Sequence, residues 1–131
     1  MKTVIIGDFQ EKVDQLLIRH RSILDSLSKY QDTNAKVNRA VTKTVTTCGC
    51  LTVSATRQNI PKDATFRDYK QYMDSHFQGD LCENCREIIE NKIGDNLFYL
   101  AALCNILDLD LDEILTKEFN KLSTLGHYNL T

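Results

Sequence analysis

The sequence predicts an all-α domain of four main helices with an extra short helix before the long central one, and three observations carry that expectation. An aspartate is followed three residues later by a glutamate at Asp8–Glu11, Asp80–Glu83 and Asp110–Glu113, the pairing that caps the free backbone N–H groups of a helix start. Behind each pair, apolar residues recur at steps of three and four, which is helical spacing. One proline and five glycines in 131 residues leave few breaks. A hydrophobic share of 42% with 26% charged residues suits one folded domain, 1–131, with a core of its own.

The first helix is expected over roughly 8–30, opened by Asp8 and carrying Phe9, Val13, Leu16, Leu17, Ile23, Leu24 and Leu27 on one stripe. His20 lies on or beside that stripe and reads as a partly buried structural histidine. In Asn34–Thr56, Val37, Val41 and Val45 step by four, so a second helix is expected, although the β-branched run Thr42 to Thr47 also suits a strand. Gln58–Asp63 contains Pro61 and reads as a loop. Phe66, Tyr69, Tyr72 or Met73, and Phe77 mark a short helix ending near Gly79. From Asp80 the long helix runs with Ile89, Ile93, Leu97, Leu100 and Cys104 on one face. Beyond Asp95 it is apolar almost all round, so it is expected to be the most enclosed element. Asp110 starts a last helix with Ile114 or Leu115, Phe119 and Leu122 directed inward.

Charge and targeting exclude several classes of function. Sixteen Lys and Arg stand against 18 Asp and Glu, for a net charge of −2, without the basic excess that nucleic acids or anionic membrane surfaces attract. The N-terminus lacks the apolar core of a signal peptide, and the longest apolar stretch, Leu97 to Leu107, is about half of what a bilayer needs. A cytoplasmic protein is expected, where thiols stay reduced.

Five cysteines are then the most informative residues. Cys48-Gly49-Cys50 and Cys82-Glu83-Asn84-Cys85 form two close pairs, the arithmetic of a four-thiolate zinc site. A shared metal is favoured over plain packing thiols and over a redox dithiol at Cys82 and Cys85, since no βαβ pattern surrounds that C-x-x-C. His76 is a possible substitute for one ligand, though a surface histidine is the simpler reading. Cys104, deep in the apolar stretch, is expected in the core. Zinc joining two segments so far apart would contribute on the order of 10 kcal/mol in apparent free energy.

The run Ile93-Gly94-Asp95, Leu97-Phe98-Tyr99-Leu100-Ala101-Ala102-Leu103-Cys104 and Leu109-Asp110-Leu111-Asp112-Glu113-Ile114-Leu115, then Phe119-Asn120-Lys121-Leu122, resembles the last two helices of the MazG-like, all-α nucleoside triphosphate pyrophosphohydrolase superfamily. It covers about a quarter of the chain. The resemblance implies a MazG-like four-helix bundle, association into a homo-oligomer, and hydrolysis of nucleotides between the α and β phosphates on Mg²⁺ held by carboxylates of two helices. The family's E-x-x-D falls on Lys92-Ile93-Gly94-Asp95, so a lysine stands where the family has a glutamate. With the glycine of Cys48-Gly49-Cys50 set on the family's V-G-E, its E-x-x-E falls on Thr47-Cys48-Gly49-Cys50. Three of four carboxylates are then missing, and Mg²⁺ needs oxygen ligands.

The remaining acids give a weak alternative. Glu83, Glu87 and Glu90 share one stripe of the long helix, while Asp95 lies about a quarter turn or more from it. If the chain is an enzyme, Asp95, Glu90 and Glu87 are the catalytic candidates, and Lys117 and Lys121, one helical turn apart, are phosphate candidates. The expectation is therefore a catalytically degenerate relative with structural zinc, acting as an interaction or nucleotide-binding module. A Mg²⁺-dependent pyrophosphohydrolase and a thiol redox protein are the alternatives.

Overall fold

A computed structural model describes residues 4–126. It is mainly helical, with helices α1 (Ile6–Leu16), α2 (Ile23–Lys43), α3 (Tyr69–Tyr72), α4 (Glu83–Ile106) and α5 (Leu111–Leu125). Strands β1 (Leu51–Val53) and β2 (Phe77–Gly79) add a small sheet, which amends the all-α expectation. The described chain gathers into two compact units, residues 4–37 with 91–126 in one and 38–90 in the other. Among the described residues no helix is long and apolar enough to cross a membrane.

In the first unit the expected helix over 8–30 is two helices. α1 begins behind Ile5 with no side-chain cap, so Asp8 sits in its first turn, where a carboxylate favours the helix dipole, rather than ahead of it. At Leu17 the chain turns extended, with the Leu17 N–H donating to the Val13 carbonyl at 2.9 Å. The break is held by side chains. Arg21 donates to the Asp14 carbonyl at 2.5 Å, and the Ser26 hydroxyl donates to the His20 carbonyl. α2 restarts at Ser22, whose hydroxyl accepts the Leu24 N–H at 3.3 Å as an N-cap does.

Val13, Leu17, Ala101 and Ala102 form the core of this unit, with Phe9, Phe98, Tyr99, Ile106 and Leu111 packed around them. The two alanines are wholly enclosed among these side chains. Cys104 is buried, as expected for a core thiol. His20 is half-buried, its ring edge-on to Tyr99 at 6.2 Å. A polar clamp fastens the start of α5: Gln10 donates to the Asn105 carboxamide at 2.9 Å and to the Leu109 carbonyl at 2.7 Å, and accepts the Leu111 N–H at 2.9 Å. Asp110 caps α5 as its sequence indicates, accepting the N–H groups of Asp112 and Glu113.

One expectation holds and one fails. Beyond Asp95, α4 is the most enclosed of the described helices, with Ala101 to Cys104 buried, although Leu97 is 45% exposed. None of α5 is buried, and Ile114, Leu115, Phe119 and Leu122, expected inward, are all exposed. Apolar spacing marks a face that wants a partner, but it does not say that the same chain supplies one.

In the second unit the helix expected over Asn34–Thr56 ends early. After Lys43 the chain makes a π-helical turn, Thr44–Cys48, closed by the Gly49 N–H on the Thr44 carbonyl at 2.8 Å. Thr44 is wholly buried with its hydroxyl on the Val41 carbonyl at 2.6 Å. Gly49 then adopts φ 83°, a left-handed conformation that glycine takes at little cost, and the chain leaves as β1. β2 pairs with β1 antiparallel, with Leu51 opposite Gly79, Thr52 opposite Gln78 and Val53 opposite Phe77. The short helix expected from Phe66 to Phe77 is a 3₁₀ turn, Phe66–Asp68, running into α3, and it stops at Met73. Gln58 staples the connection, exchanging hydrogen bonds of 2.9 Å with both the carbonyl and the N–H of Asp74.

Candidate metal centre

The two cysteine pairs meet because of the β1–β2 register. The left-handed Gly49 reverses the chain between Cys48 and Cys50, and pairing Leu51 with Gly79 draws Cys50 beside the segment entering α4. Gly79, at φ 101°, is required there: a Cβ on it would run into the Cys50 carbonyl. On the other side Cys82 directly precedes α4, and its Sγ accepts the Cys85 N–H at 3.3 Å. Cys82 thus performs the N-cap role expected of Asp80, and one helical turn presents both sulfurs toward the same point.

All four Sγ atoms lie within 4.8 Å of one another, and Cys48 Sγ is 3.8 Å from Cys82 Sγ. A tetrahedron of zinc–sulfur bonds of about 2.3 Å has sulfur–sulfur edges of about 3.8 Å. The five cysteines are free thiols. Cys85 is buried, Cys50 and Cys82 are half-buried, and Cys48 is exposed.

The crowding has electrostatic consequences. The Cys85 backbone N–H, followed by the Cys85 thiol, stabilises the Cys82 thiolate and brings its pKa down to about 7. The ionised Cys82 beside it and burial together push Cys85 up to about 12. For Cys48 the Cys50 backbone N–H pulls downward, yet the adjacent Cys82 and Cys50 thiols and burial leave it raised. Four thiolates this close repel one another unless a cation sits among them, and a divalent metal supplies that charge.

The other sequence candidates stand apart from this centre. His76 takes no place in the four-sulfur group; it adopts φ 63° and its Nε2 is buried without a hydrogen-bond partner among the described residues. Glu87 and Glu90 are exposed on α4, and Asp95 is exposed on its later part. Lys117 and Lys121 are exposed on α5, with Lys121 paired to Glu118 at 2.7 Å. Among the described residues, the four cysteines are the one group of three or more Cys, His, Asp or Glu ligands that converges.

Within the first unit, Asp32 on α2 lies within electrostatic reach of Lys92 on α4. Asp32 is held below the usual carboxylate range by its hydrogen bond to Lys36, at 3.0 Å, with Lys29 and Lys92 adding to it. Nearby, Asn96 donates to Thr33 at 3.1 Å and to Asn34 at 2.5 Å. Neither Asp32 nor the role of Gly79 beside Cys50 is legible from the sequence. Asp32 stands one turn before Lys36 in an ordinary exposed helical pattern. Gly79 reads as a helix stop until its strand partner is known.

No family model, curated protein or solved structure matches the chain.

Proposed function

We propose that Cys48, Cys50, Cys82 and Cys85 hold one structural zinc ion in a divergent MazG-like protein that acts as an interaction or nucleotide-binding module. The observation that carries the metal is the convergence of four sulfurs from two segments at tetrahedral spacing. Soft thiolates select zinc over the hard magnesium ion, and four protein ligands leave no open position for a substrate, which is the pattern of a structural site.

The run from Ile93 to Leu122 supports the MazG-like reading, and Lys92 in the place of a carboxylate supports loss of hydrolysis. A lysine repels a divalent cation at close range, and Lys92 here acts on Asp32. Lys117, whose side chain is exposed, remains the better phosphate candidate of the two lysines on α5, since Lys121 is paired.

Metal analysis of protein purified without a polyhistidine tag tests the zinc. Close to one equivalent per chain is expected, falling below a tenth in Cys82→Ser. Less than a tenth of an equivalent in the unaltered protein would refute the structural metal. Release of nucleoside monophosphate and pyrophosphate from a nucleotide panel, abolished by Asp95→Ala, would instead establish the hydrolase. A reversible disulfide between Cys82 and Cys85 would mark a redox protein; the four-sulfur convergence favours the metal over that pair alone.

A further inference from the structure

The four clustered cysteines differ in access. Cys48 is exposed, Cys50 and Cys82 are half-buried, and Cys85 is buried. Cys48 and Cys82 stand 34 positions apart in the chain, yet their sulfurs are 3.8 Å apart. The exposed cysteine of one segment is thus in contact with a thiol of the other. With zinc in the centre, each sulfur is held as a thiolate, because coordination displaces the thiol proton. Zinc has no redox chemistry of its own, so electrons leaving such a centre come from sulfur. Oxidation of a thiolate follows its exposure, which makes Cys48 the point of entry and Cys82 the sulfur in reach of it.

We propose that the centre is a redox switch, in which hydrogen peroxide oxidises Cys48, Cys82 closes on it as a disulfide, and zinc is released. This rests on the zinc reading given above and adds the regulation of that site. The Cys48 thiolate attacks one peroxide oxygen, the O–O bond breaks and hydroxide leaves, giving a sulfenic acid. The Cys82 thiolate then attacks the Cys48 sulfur, the S–O bond breaks and a second hydroxide leaves. Two electrons have passed from the two sulfurs to the peroxide. Cys50 and Cys85 remain, only two of the four ligands that a closed tetrahedral site needs. The pairing of Leu51 with Gly79 keeps the two segments in register while the sulfurs close from 3.8 Å to the ~2.05 Å of a disulfide. A thiol reductant reverses the step, because oxidation stops at the disulfide.

The test treats reduced protein with a modest excess of hydrogen peroxide, reads released zinc with a chromophoric chelator and locates disulfides by peptide mass mapping. About one equivalent of zinc per chain should appear in step with a disulfide between Cys48 and Cys82. Reductant with added zinc should restore the starting state. Cys104, buried in the core of the first unit, is the control, and Cys104→Ala should release zinc as the unaltered protein does. Cys48→His keeps four ligands in a Cys₃His set and removes the exposed sulfur, so its zinc should be lost about tenfold more slowly or slower still. Mapping of the unaltered protein decides the matter even where that variant fails to load zinc. Reduced protein that carries no zinc would overturn the metal reading and this inference with it. Zinc present but retained under peroxide, a disulfide confined to Cys82 and Cys85, or equally fast loss from zinc-loaded Cys48→His would overturn the switch alone and leave the metal standing.

Discussion

Stripping the proposed zinc from the protein with a strong chelator is expected to unfold residues 38–90 while leaving the α1–α4 core helical. The physical ground is how little else holds that segment. Among its residues only Thr44, Leu51 and Cys85 are buried, and one of the three is a proposed zinc ligand. Its sheet is a single pairing of two three-residue strands, α3 is one turn long, and the 54–65 connection carries no regular structure. A segment of that size without an apolar core depends on a staple. Zinc on four thiolates contributes on the order of 10 kcal/mol in apparent free energy, more than the whole net stability of many domains. Hydrogen exchange followed by mass spectrometry should show protection lost in 44–53 and 77–86 on chelation, and retained in 98–106. Acidification should act in the same direction, since protons compete with the metal for the thiolates. Protection unchanged after complete zinc removal would show that the segment folds on its own packing.

Gly79→Ala is expected to have the second-largest effect, although residue 79 is neither a ligand nor part of a hydrophobic cluster. Its φ of 101° disfavours any side chain, and the new methyl group would fall against the Cys50 carbonyl, a backbone atom that cannot swing aside. Relief requires separating Leu51 from Gly79, which moves Cys50 away from the other sulfurs. A loss of about 2–4 kcal/mol is expected, with zinc affinity lowered roughly 10- to 100-fold, as for groups that orient metal ligands. Gly49→Ala is the informative control. Its φ of 83° is also left-handed, but nothing lies within 4 Å of the added Cβ, so it should cost only about 1–2 kcal/mol of backbone strain. Zinc competition with a chromophoric chelator, run beside thermal unfolding, separates the two. Equal effects from both substitutions would show that the close approach to Cys50 is unimportant.

Much of this protein is legible from residue types and intervals alone. Three- and four-residue apolar steps mark the helices, Asp110 with Glu113 marks the start of α5, and two close cysteine pairs mark a candidate metal site. These features are local, or depend on the chemistry of a residue type, and so survive without coordinates. Cys104 likewise needs only its apolar neighbours to be placed in the core.

Other features depend on which distant segments meet. The β-branched run before Cys48 is compatible with helix and strand, and the choice falls where Thr44 is buried and Phe77–Gly79 offers an edge to Leu51–Val53. No local spacing relates residue 51 to residue 79. The apparent continuity from Phe9 to Leu27 is broken because Leu17 turns into the core while Arg21 and Ser26 take up the freed carbonyls. The capping pair at Asp80 gives way to Cys82 because a sulfur already drawn toward three others also lies in reach of the Cys85 N–H. Periodicity and ligand chemistry are properties of residues, so a mainly helical chain and the grouping of four cysteines can be read from residue order alone. The strand register that brings those four within 4.8 Å, and the exposure of the apolar stripe of α5, follow from long-range geometry that no interval in the sequence encodes.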